Sequence, residues 1–121
     1  MSMLFADTLN EVAENLETVY AVLLMGIDGL PIEKLILNEV VNMEALTAEF
    51  TTIVRITGHT TAEINAGSVE EVIILSDQMM LLTKTITPEY FLLVLLPQDG
   101  NLGRARFELK KAKYALEKEF V

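Results

Sequence analysis

Side chains able to do chemistry are few in this sequence, and they stand apart. His59 is the single histidine and there is no cysteine. Two-histidine and thiolate metal sites are therefore excluded, and disulfides with them. His59 falls in a helical stretch without an acid pair to complete a ligand set, and reads as structural or interfacial. Ser2, Ser68 and Ser76 all lack the strand-to-helix elbow of a serine nucleophile. Gly100-Asn101-Leu102-Gly103 follows an apolar strand and opens a helix, which is where a phosphate loop would sit. It has neither the lysine nor the spacing for one. Arg55 has the chemistry of an arginine finger donated to a nucleotide-hydrolysing partner. A salt bridge or an interface contact suits a lone helical arginine better. Glu70-Glu71 could hold a cation only if both carboxylates faced one way, and strand neighbours point to opposite faces. They read as edge charges that discourage stray strand pairing. The expectation is a protein with no catalytic residue, no metal and no cofactor, and not an enzyme.

The elements that would position these residues follow from composition and periodicity. At 121 residues the chain is expected to be one domain, 1–121, with its own core. Apolar residues make up 51% and mean hydropathy is +0.38, so either the core is large or a partner covers some apolar surface. Net charge is −9. Residues 1–100 hold three bases against fifteen acids, whereas residues 101–121 hold six bases against three acids. An acidic body argues against nucleic acid, whose binding rests on neutralising phosphates. The basic C-terminal run reads as a solvated helix face. The first residues lack a signal peptide's basic segment, and the greasiest window, Val72 to Leu96, is interrupted by Asp77, Lys84, Pro88 and Glu89. No membrane insertion and a cytoplasmic location are expected.

Residues 4–17 place Phe5, Leu9, Val12 and Leu16 on one helical face, with Asp7, Glu11, Glu14 and Glu17 opposite. Tyr20 to Ile27 and Pro31 to Leu37 read as strands joined at Asp28-Gly29, a hairpin signal. Asn42 is placed to cap a long helix running to about Ile64. Strands follow at Val69–Leu75, Met79–Ile86 and Tyr90–Leu96, then a helix from about Asn101 to Phe120. The order is α-β-β-α-β-β-β-α. The last strand is apolar at every residue from Phe91 to Leu96, so both of its faces must be covered.

That requirement points to a partner. Five strands about 4.8 Å apart make a sheet roughly 20 Å wide, and one helix covers about 10 Å of it. Covering both faces takes about four helices, and three are available. On a helical wheel the central helix turns Met43, Leu46, Phe50, Ile53, Val54, Thr57 and Ile64 one way. Ala45, Ala48, Thr52, Arg55, Ile56 and His59 face the other way. A solvated face would be richer in Lys and Glu. Small residues beside Ile56 let another helix approach closely, so a homodimer with paired central helices is expected.

Three segments, in this order and spacing, resemble the roadblock/LC7 family and most nearly its short prokaryotic, MglB-like members. They are the hairpin Leu24-Met-Gly-Ile-Asp-Gly-Leu-Pro-Ile32, the strand pair around Val72-Ile-Ile-Leu75 and Met79-Met-Leu-Leu82, and Asn101-Leu-Gly-Arg-Ala-Arg106. The resemblance spans essentially the whole chain. It implies an α/β (α+β) profilin/longin-like sandwich with a five-stranded antiparallel sheet of order 2-1-5-4-3. It also implies dimerisation through the third strand and central helix, which adds Val69, Val72 and Ile74 to the expected dimer or partner interface. Members are typically partners of small Ras-like GTPases, acting as activators or scaffolds, and others are dynein light chains or signalling adaptors. In the MglB-like branch the dimer rearranges the GTPase's own catalytic residues and donates no finger, which counts against a catalytic Arg55. The expected function is a homodimeric regulator of a Ras-like GTPase, with a non-catalytic adaptor or assembly subunit as the alternative. A small-molecule sensor finds little support, because no pocket-like cluster of polar residues is visible along the chain.

Overall fold

Apolar runs and their punctuating turn residues set eight elements, and the structure, a computed structural model, describes residues 3–120. Met1, Ser2 and Val121 lie outside the described residues, and the reading of Ser2 with them. The elements are α1 (Met3–Glu14), β1 (Ala21–Gly26), β2 (Pro31–Ile36), α2 (Met43–Glu63), β3 (Glu71–Leu75), β4 (Met79–Thr87), β5 (Tyr90–Pro97) and α3 (Leu102–Leu116). A single 3-10 turn, Glu117–Phe120, closes the described chain. The strands form one sheet of order β2-β1-β5-β4-β3 in which every neighbouring pair is antiparallel. This is the topology expected from the sequence.

Local chemistry explains most boundaries. Asn42 caps α2, its Oδ1 accepting from the Ala45 N–H at 2.9 Å, and Asn101 caps α3 in the same way through Arg104 N–H at 2.9 Å. The β1–β2 connection bends through Gly29, whose φ of 93° favours glycine. Gly26 N–H donates to Leu30 O at 2.9 Å, so three residues, Ile27, Asp28 and Gly29, span the connection rather than a two-residue turn. Asp28 Oδ1 accepts from Leu30 N–H at 3.1 Å. Helix α1 stops at Glu14, short of the expected residue 17. Its last turn tightens as Leu16 N–H donates to Ala13 O at 3.2 Å, while the Leu16 side chain stays in the core. The apolar period therefore outlasts the helix.

The two faces of the sheet carry separate cores. Helices α1 and α3 cover one face, where Leu9, Val12, Leu109 and Leu116 pack on Val22, Leu82, Leu92 and Val94. Helix α2 alone covers the other, setting Met43, Phe50 and Val54 against Leu23, Met25, Phe91, Leu93 and Leu95. Strand β5 sits at the centre with Phe91 to Leu96 all buried. Each such side chain contributes about 1.5–3 kcal/mol by leaving water. The distribution of helices, two on one face and one on the other, is the one the width argument requires.

Two charged side chains are buried against sequence expectation. Glu108 of α3 is enclosed between α3 and α1, accepting from Asn15 Nδ2 at 3.0 Å, with Lys111 Nζ and Arg104 Nη2 each 3.3 Å from its oxygens. Lys84 of β4 lies 3.7 Å from Glu70 and 4.0 Å from Glu71. Burial of a charge is tolerable only with such partners.

Candidate dimer and partner interface

The outward face of α2 is built by the turn that its threonines take toward the sheet. Thr47 and Thr51 are buried, their hydroxyls donating to the carbonyls of Glu44 (3.0 Å) and Thr47 (2.7 Å). With their hydroxyls satisfied in this way, both side chains can be buried on the sheet side of the helix. This rotates the inward stripe to Met43, Thr47, Phe50, Thr51 and Val54. Three residues read as inward are displaced by the same rotation. Ile53 is 36% exposed and Ile64 67% exposed, while Thr57 is half-buried and bonds its hydroxyl to Ile53 O at 2.7 Å.

Ala45, Ala48, Thr52, Ile56 and His59 all lie exposed, at spacings of three or four residues along one side of the helix. Ile56 is 60% exposed at the middle of this stripe. Exposed Glu49 and Glu63 flank it, each seven residues from Ile56 on the same side of the helix. His59 Nε2 lies 3.7 Å from Glu63 Oε1 one turn on, where both are exposed. Arg55 stands at the flank, and its Nη1 donates to the Ile27 carbonyl at 3.1 Å. It therefore ties α2 to the β1–β2 loop rather than projecting freely from the stripe.

Strand β3 supplies an open sheet edge. Thr85 N–H donates to Glu70 O at 2.9 Å and Ser76 N–H donates to Met79 O at 2.9 Å. Bonded and unbonded pairs alternate in an antiparallel ladder, so the backbone groups of Glu71, Ile73 and Leu75 point to the free edge. Val72 and Ile74 are half-buried at the rim of the α2-side core, and Val69 is half-buried in the connection leading to β3. The Glu70-Glu71 pair is not a set of free edge charges. Glu71 Oε1 accepts from Arg106 Nε at 3.0 Å and lies 2.8 Å from its Nη2. Arg106 comes from α3, so no sequence-local pattern reveals this bridge.

Among the described residues no group of three or more His, Cys, Asp or Glu side chains could hold a metal ion. No helix among them is long and apolar enough to cross a membrane. What the surface offers is shape and unsatisfied backbone: a close-approach helix face and a strand edge.

No protein-family sequence model matches the chain, and no curated protein matches it in sequence. Solved structures do match in fold. Myxococcus xanthus MglB superposes with a TM-score of 0.87 at 17% identity, over 98% of this chain and 88% of that one. A roadblock/LC7 domain from Streptomyces avermitilis gives 0.83 at 14% identity, over 93% and 94% of the two chains. MglC from Myxococcus xanthus gives 0.71 at 26% identity, over 97% and 99%. The chain thus matches roadblock/LC7 domain structures over nearly its whole length, with a roadblock/profilin-like sheet order.

Proposed function

We propose that the protein is a homodimeric, non-catalytic regulator of a small Ras-like GTPase. Two copies pair through α2 and the β3 edge, involving Ala45, Ala48, Thr52, Ile56 and His59 with Val69, Val72 and Ile74, and Arg55 at the border. The observation that carries this reading is the run of small residues around exposed Ile56 on the helix that alone covers its sheet face. A second α2 would bury Ile56 and extend cover toward Val72 and Ile74. Pairing of two β3 edges would satisfy the backbone groups of Glu71, Ile73 and Leu75.

The GTPase is supported by the sequence resemblance and the fold match to MglB. On this reading the paired helices form a platform that holds the GTPase's own catalytic residues in place, since no finger residue projects from the stripe. The test is GTP turnover by a Ras-like GTPase from the same genome, with and without this protein. A change in turnover, together with co-elution of the two on gel filtration, is expected. Unchanged turnover and no complex would sink the proposal. The alternative, an adaptor that binds a peptide or another roadblock chain without altering turnover, is favoured if pull-downs recover a non-GTPase partner instead.

A further inference from the structure

A cleft of about 580 Å³ opens where the second half of α2, the α2–β3 connection and the end of β4 converge. Ile27, Val54 and Val69 give it apolar walls, while the Ile86 side chain turns into the core on the other face. Gly58 and Ala62 are its small residues on α2, and at Gly58 a side chain would meet nothing within 4 Å. Its volume lies in the range of small-molecule sites, which are mostly apolar with a few placed polar groups. The chain segments that form it are more than fifty residues apart in sequence at their extremes, from Ile27 to Lys113. That is why no polar cluster is visible along the chain.

Two cations reach this cleft from opposite sides of the sheet, Arg55 on α2 and Lys113 on α3. Neither has a carboxylate partner among the described residues, although the protein holds eighteen acids against nine bases. The Arg55 guanidinium is fixed by one bond, from Nη1 to the Ile27 carbonyl at 3.1 Å. Its other N–H donors stay available in a planar fork suited to an oxyanion. Glu70, the one acid lining the cleft, is 80% exposed with its Oε1 3.7 Å from Lys84 Nζ, so solvent and that lysine both weaken its field at the cleft.

We propose that this cleft binds a small amphipathic anion, a carboxylate, sulfonate or phosphate carried on an apolar body. The apolar body lies between α2 and β4, and the charged group is held by Arg55 and Lys113. The site shares Arg55 and Val69 with the pairing surface proposed above, so sedimentation of each variant is read beside its probe affinity to separate loss of the anion site from loss of the pair.

A matched pair of fluorescent probes tests it on the full chain. 8-Anilinonaphthalene-1-sulfonate carries the anion, and N-phenyl-1-naphthylamine is the same body without it. The sulfonate is expected to bind at one site per chain and about ten-fold tighter than the neutral amine, the scale of a charge-assisted hydrogen bond. Arg55→Gln and Lys113→Gln should each erase most of that difference while leaving the neutral probe's affinity unchanged. Ala62→Phe, at an exposed helix position, should block both probes by filling the cleft. Amide shifts on titration should centre on Gly58 and Gly67. Equal affinity for the two probes, several weak sites, or wild-type sulfonate binding by the double glutamine variant would overturn the proposal. If the phenylalanine variant does not fold, the glutamine variants decide the matter alone.

Discussion

Replacing Ile56 by aspartate separates the proposed pairing surface from an ordinary solvated helix face. In the isolated chain Ile56 is 60% exposed. An aspartate there costs the monomer only a few tenths of a kcal/mol in helix propensity. In a twofold pair the substitution enters the interface twice. Burying a polar group without a partner costs about 2 kcal/mol by mutational experience, so the pair loses about 4 kcal/mol. At 1.4 kcal/mol per decade, the dimer dissociation constant rises about a thousand-fold. Ala48→Glu should act similarly, adding bulk where helices approach closely. Tyr114→Asp is the control, because Tyr114 is 59% exposed on α3, across the sheet from α2. Sedimentation velocity over a micromolar dilution series reads the outcome. Wild type and the Tyr114 variant should sediment as dimers, and both α2 variants as folded monomers with melting temperatures near that of Tyr114→Asp. Dimers that persist in both α2 variants would refute the central-helix interface, as would equal disruption by Tyr114→Asp.

Three further outcomes follow from the packing. Leu93→Ala removes a fully buried side chain from β5 and should lower unfolding free energy by about 2–5 kcal/mol in a urea titration; a loss below about 1 kcal/mol would contradict the tight α2-side core. Asn42→Ala and Asn101→Ala remove the two helix caps and should each cost about 0.5–2 kcal/mol by the same titration, with Gly in place of Ala recovering most of it. Glu108→Ala leaves Arg104 and Lys111 without their buried partner and loses the Asn15 bond between α1 and α3, at a cost of about 2 kcal/mol. Amide exchange should then quicken in α1 ahead of α2, and uniform exchange would contradict that linkage.

The order of elements and the sheet topology were legible because strands β1 and β5 are apolar at nearly every residue and are bounded by Gly, Pro and Asn. The shortage of helices on one face was legible too, since it needs only strand spacing and helix width. The rotation of α2 was not. Thr47 and Thr51 count as polar on a wheel, yet each returns its hydroxyl to its own helix and packs inward, which swings Ile53 and Ile64 outward. The role of Glu71 was hidden for another reason. Its partners Lys84 and Arg106 come from β4 and α3, so charge spacing along the chain holds no trace of the bridge. The same holds for the cleft shared by Arg55 and Lys113. Long-range assembly produces it, and residue types near either position do not announce it.

The central claim is that pairing through α2 and β3 builds the surface a GTPase binds. Light scattering coupled to gel filtration tests it most directly, using this protein mixed with a Ras-like GTPase from the same genome, loaded with a non-hydrolysable GTP analogue. Wild type should elute as a complex whose mass contains two copies of the 13.5 kDa chain, and Ile56→Asp should elute apart from the GTPase. A wild-type monomer with no complex, or a complex formed equally well by Ile56→Asp, would contradict it.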